Sequence, residues 1–145
     1  MMQPKTRLDR LVQVRERTED GALANLAKAR EMLGRAQRRL GGAVAAAQAD
    51  HRGSSDAAHW VVEEAAHVRA LQDVRAARGD VSQAAAGEAT ARQGYVEARR
   101  DAESARRVAE RKRAEIVRAL AKAEAKRLDE VGTMAFNRGR SPSGA

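Results

Sequence analysis

A chain of 145 residues suits a single domain, yet Trp60, Tyr95 and Phe136 are its entire aromatic supply, which excludes an ordinary globular core. The 43% hydrophobic fraction is inflated by 33 alanines, and alanine buries little area per residue. Absence of cysteine excludes a disulfide scaffold and thiolate zinc sites, and the net charge of +8 is a bias over a mixed surface of 28 basic and 20 acidic residues.

No proline interrupts the chain between Pro4 and Pro142. The segment Met1 to Arg15 is charged throughout and lacks the apolar run of a secretory signal. No stretch approaches the roughly 20 apolar residues that span a bilayer, so the expectation is a soluble, cytoplasmic protein without membrane insertion.

The first arm is predicted over 5–50. Its apolar positions are Leu8, Val12, Ala22, Leu26, Ala29, Leu33, Ala36, Leu40, Ala43 and Ala47, with leucine and alanine alternating at heptad spacing from Ala22 onward. Arg15 and Glu19 fall on the same stripe and predict a looser seam near the N-terminus. Gly34, Gly41 and Gly42 each lower helix propensity by about 1 kcal/mol relative to alanine, but small residues also allow close helix approach and need not mark breaks.

His51-Arg52-Gly53-Ser54-Ser55-Asp56 reads as the turn, 51–55, equipped with capping residues. A distal helical segment over 56–79 follows. Gly79 then precedes Asp80-Val81-Ser82-Gln83, which has the form of a capping box and leaves open whether the helix breaks there or only bends.

The last arm is predicted over 81–137. One core column is Val81, Glu88, Tyr95, Ala102, Ala109, Ile116 and Ala123; its companion is Ala84, Ala91, Ala98, Ala105, Lys112, Ala119 and Lys126. The predicted fold is therefore all-α: a long antiparallel two-helix coiled-coil hairpin, with a helical segment near the distal turn. Residues 1–137 form one elongated domain, and 138–145 form a disordered tail. At ~1.5 Å per residue the arms predict a rod on the order of 70–85 Å long, with both chain ends at one end of it.

Catalytic signals are weak. Ser54 and Ser55 lack a base and an orienting acid in their sequence context, and no glycine-rich loop ends in Lys-Ser or Lys-Thr. His59, Glu63 and His67 share a helical face by spacing, but three histidines on a polar helix are better explained by coincidence than by zinc. No catalytic residue, metal site or cofactor is assigned. Trp60 is either an exposed binding anchor or a staple folded back on the turn. Glu103 with Arg107 and Glu110 with Arg113 have the spacing of ordinary intrahelical pairs.

Two end segments carry a family pattern. Arg7-Leu8-Asp9-Arg10-Leu11-Val12-Gln13-Val14-Arg15-Glu16 resembles the opening of the FliJ family of flagellar export proteins and of the related type III secretion stalk proteins (SctO, or YscO). Glu124-Ala125-Lys126-Arg127-Leu128-Asp129-Glu130, followed by Ala135 and Arg138, is similar to that family's C-terminal run. Gly132 interrupts the latter, and the middle of the chain is poor in aromatics, which weakens transfer of the family's export-gate surface.

The resemblance implies a non-enzymatic, monomeric stalk. Its paired termini would enter a hexameric export ATPase, and its distal end would face the export gate at the inner membrane. Family members are also implicated in assembly of the ATPase ring and in handling empty export chaperones. On this resemblance the ATPase contacts fall on Arg7, Leu8, Arg10, Leu11, Lys122, Lys126, Arg127, Leu128, Asp129, Glu130 and Arg138, with Leu8, Leu11, Leu128 and Val131 packing the shared end. The gate contacts fall on Trp60, His67 and Leu71. Between Arg99 and Arg127 eleven basic and five acidic residues give a basic shaft, suited to exchangeable contacts with acidic loops. Two other classes compete: a generic coiled-coil adaptor or self-associating scaffold, and a basic nucleic-acid-binding protein. Interspersed acids and the lack of stacking aromatics weigh against the latter.

Overall fold

A computed structural model describes residues 4–49 and 56–140, and these form two helices: α1 (Leu8–Gln48) and α2 (Ala57–Gly139). The predicted turn 51–55 and the end of the predicted tail lie outside the described residues. Contacts divide the chain into two units, Met1–Glu16 with Asp101–Ala145, and Arg17–Arg100. Each contains a stretch of α1 packed antiparallel on a stretch of α2.

Helix α1 starts where its sequence can satisfy the first free amides. Thr6 donates its backbone N–H to Asp9 Oδ2 at 2.8 Å and its hydroxyl to Asp9 Oδ1 at 3.2 Å, while Asp9 N–H bonds the Thr6 carbonyl at 3.1 Å. This is the reach-back half of a capping box, with aspartate in the usual glutamate place. At the head of α2 the Asp56 carboxylate accepts the Ala58 N–H at 3.3 Å, and the Asp56 carbonyl accepts the Trp60 N–H at 3.0 Å. Asp56 thus caps α2.

No break occurs at Gly79; α2 runs through it as regular helix. Asp80, which resembled a cap in sequence, instead receives Arg39 of α1 at 3.3 Å. Alanine and arginine are strong helix formers, and the flanking helix outweighs one glycine.

In the unit Arg17–Arg100, the α1 face turned to α2 carries Ala22, Leu26, Ala29, Leu33, Ala36, Leu40, Ala43 and Ala47, with Leu26 and Ala36 buried. Opposite lie Val74, Ala77, Val81, Ala84, Glu88, Ala91, Tyr95 and Ala98. The alternating three- and four-residue steps of both faces are those of a coiled-coil seam. Glu88, on that seam, is buried and receives Arg92 at 2.8 Å and Arg30 of α1 at 3.4 Å. The hydrogen bond from Arg92, supported by Arg30, holds its carboxyl below the usual glutamate range. A carboxylate can occupy this position because both guanidinium groups reach it from the rim.

In the other unit Ala102, Ala105 and Ala109 are buried, Ala102 completely. Ion pairs link the two helices there, among them Arg15 to Asp101 at 3.3 Å, Arg106 to Glu16 at 2.9 Å, and Arg113 to Asp9. The predicted looseness near the N-terminus is thereby offset by charge. Arg15 leaves the stripe and pairs at the surface, and Arg113 turns to α1 rather than to Glu110.

Among the described residues most glycines contribute nothing to close approach. A Cβ added at Gly21, Gly41, Gly42, Gly79, Gly87, Gly94 or Gly132 would meet no atom within 4 Å. Alanine, not glycine, sets the helix separation.

Candidate functional site

The columns predicted for the last arm hold from Val81 to Ala109, and Ile116 is the last residue of α2 that is even half-covered. Lys112 is exposed, as are Ala119, Ala123 and Lys126. The reason is length: α1 begins at Leu8, and Asp9 already stands beside Arg113. Beyond that point α2 has no α1 to pack on, and every residue from Val117 to Arg140 is exposed.

This stretch holds most of the sequence-predicted contact residues. Lys122, Lys126, Arg127, Leu128, Asp129, Glu130 and Arg138 all lie on it. Leu128 is 66% exposed and Val131 62%, so neither packs with Leu8 and Leu11 as expected. Leu8 is half-buried under the first turn, whereas Arg7, Arg10 and Leu11 are exposed around it. The structure therefore brings Arg7, Leu8, Arg10 and Leu11 beside the Arg113 turn of α2, and leaves the Lys122–Arg138 group on a helix without a partner.

At 100° per residue, Val117, Leu120, Leu128, Val131 and Ala135 fall on one side of that helix, and Arg118, Lys122, Lys126, Asp129 and Glu130 on the other. The apolar side is turned about 60° from the seam that Ala102, Ala105 and Ala109 make with α1. It is a second face, not a continuation of the first. Phe136 lies off this stripe, with the Arg140 guanidinium 5.7 Å from its ring centre.

Electrostatics separate the units. Residues 1–16 and 101–145 carry 15 basic and 9 acidic side chains, a net of +6; residues 17–100 carry 13 and 11, a net of +2. Asp9 stands among these cations and holds two roles. It caps α1 and pairs with Arg113, and the Thr6 amide, with the Arg113 guanidinium, keeps its carboxyl below the usual aspartate range. The sequence pattern Thr-x-x-Asp at 6–9 was the available signal for this cap.

A second exposed apolar region lies at the start of α2 within the unit Arg17–Arg100. α1 ends at Gln48, where Ala43 and Ala46 share a groove with Ala70, Asp73 and Ala77. Earlier residues of α2 extend past it. Trp60, Val61, Val62, Val68 and Leu71 are exposed there, Trp60 at 54%, while Glu63 and His67 are half-buried. Among the described residues Trp60 is an open aromatic surface, and one Glu63 carboxylate oxygen is buried without a hydrogen-bond partner. No cluster of three metal-ligating side chains occurs among the described residues, so His59, Glu63 and His67 do not converge. No described helix is long and apolar enough to cross a membrane.

These features define a two-helix antiparallel coiled-coil protein with exposed apolar and charged surfaces among the described residues. The chain belongs to the flagellar FliJ protein family, whose profile it matches over residues 4–141. Membership makes it a component of the flagellar protein-export apparatus. No curated protein and no solved structure matches it significantly.

Proposed function

We propose that the protein is the stalk of the flagellar export ATPase: it inserts into the hexameric ring, promotes ring assembly and hydrolysis, and links the ring to the export gate. It carries out no chemistry itself. The observation that carries this reading is the bare, basic C-terminal stretch of α2, exposed on every side from Val117 to Arg140 in the unit that holds +6 of the +8 net charge.

A single helix about 10–12 Å across, side chains included, is thinner than a helix pair and presents contacts all round to a surrounding ring. Its six cations and three carboxylates favour acidic loops, while the admixture of both signs keeps each contact weak and exchangeable. Arg7, Arg10 and Leu11, exposed beside the Arg113 turn, add a collar where the helix becomes double. Trp60, His67 and Leu71 supply the gate-facing surface at the other end of α2; two are exposed aromatic or aliphatic anchors. The working species is a monomer, cytoplasmic and peripheral to the inner-membrane export apparatus, and export chaperones are further partners.

The test is binding. Purified protein mixed with the export ATPase at low salt should co-elute with it and shift it toward the hexamer. Charge reversal at Lys122, Lys126 and Arg127 should abolish the shift while leaving helix content unchanged. Failure of the unaltered protein to co-elute would refute the assignment.

A further inference from the structure

The unpartnered apolar stripe of α2 is not uniformly apolar. Glu124 sits within it, between Leu120 and Leu128, and Arg138 closes it. Among the described residues neither makes an ion pair or hydrogen bond within the chain, and both are exposed. An acid in the middle of an apolar stripe is costly for any apolar partner that leaves it unpaired.

The spacing resolves the difficulty. Glu124 and Arg138 are fourteen residues apart, four turns of helix, on the same face, and Val131 lies midway between them. When two copies of this stripe pack antiparallel about Val131, Glu124 of each meets Arg138 of the other, Leu128 meets Ala135, and Val131 meets itself. Both charges are then paired, and the stripe's apolar residues between them, Leu128, Val131 and Ala135, are covered. A twofold interface requires that kind of self-complementarity: residue i against j and j against i. Because the stripe is turned about 60° from the α1 seam, a second copy can dock without displacing α1.

We infer that the segment Glu124–Arg138 is a homodimerisation site, through which the free protein forms an antiparallel dimer centred on Val131. Four turns of helix bury less than the roughly 800 Å² per partner of a standard stable interface, so the dimer is weak and reversible. It occupies the face that a ring would otherwise surround, so dimer and ring-bound forms exclude each other. The inference stands on the stripe's own symmetry and does not depend on the identity of the ring.

The experiment uses the full-length chain. Sedimentation equilibrium from about 5 to 500 μM should show reversible dimerisation that Glu124→Arg weakens at least about tenfold. The double variant Glu124→Arg, Arg138→Glu exchanges the two charges and should restore it. Val131→Cys should form an intermolecular disulfide under mild oxidation much faster than Lys126→Cys, which lies on the opposite face. A monomer throughout the concentration range, failure of the charge exchange to restore association, or equal crosslinking at 126 and 131 would overturn the inference.

Discussion

Replacing Gly79, Gly87 and Gly94 together by alanine should stabilise the protein substantially. All three lie within regular α2, and a Cβ at each enters open space, so no packing is disturbed. Each substitution recovers the propensity difference of about 1 kcal/mol between glycine and alanine in a helix interior. The sites are seven or eight residues apart, far enough for their effects to add, giving about 3 kcal/mol in total. With a urea slope of about 2 kcal/mol per molar, the midpoint followed by far-ultraviolet circular dichroism should rise by about 1.5 M. The companion change is Ala102→Gly, at a completely buried seam position. It forfeits the same propensity term and about 0.8 kcal/mol for the buried methyl, so the midpoint should fall by about 1 M. A triple alanine variant no more stable than the parent would mean that these glycines make contacts the structure lacks. An indifferent Ala102→Gly would mean that the alanine seam is not the support.

Truncation after Ile116 should leave the urea midpoint of the remaining helices nearly unchanged, because the removed described residues bury nothing; a large loss of stability would show that they pack. Acid should loosen the two units through Asp9 and Glu88. Their carboxyls titrate below the ordinary range in the folded chain, so the stability they give is present above the unfolded values near 4 and is lost as pH falls through the folded ones. Thermal melts of Glu88→Gln should accordingly depend less on pH between about 5 and 2, and an unchanged slope would remove Glu88 from this role. Asp9→Ala should raise amide exchange over residues 8–12 by fraying the uncapped first turn, and unaltered protection there would contradict the cap. Trp60 fluorescence should show the red-shifted emission of a solvated indole, and a blue-shifted maximum would mean that the side chain is folded back.

The seam was legible because heptad spacing makes a demand at every third and fourth residue. Leu26, Ala36, Ala98, Ala102 and Ala109 stand where periodicity placed them. What periodicity does not contain is the register between helices. A column residue is buried only if the other helix reaches it, which is why Ala119 and Ala123 obey the pattern in sequence and lie bare in the structure. The same ignorance of register hid the pairing of Arg113 with Asp9 and of Asp80 with Arg39, since an ion pair across helices leaves no local spacing. Local signals worked where they had no competitor: Asp56 caps α2 as its composition suggested. They left the question open at Asp80-Val81-Ser82-Gln83, where the capping-box pattern lies inside a helix that runs unbroken through Gly79. The family resemblance proposed contacts at both chain ends, but that these residues divide between the start of α1 and a single bare stretch of α2 became visible only from the point at which α1 begins.

The stalk assignment is tested most directly by the phosphate-release rate of the export ATPase with and without this protein. The rate should rise on addition of the full-length chain, fall back as salt screens the cations of the α2 end, and fail to rise with the chain truncated after Ile116. An ATPase rate that is indifferent to the full-length protein at low salt, or is raised equally by the truncated one, would contradict the account.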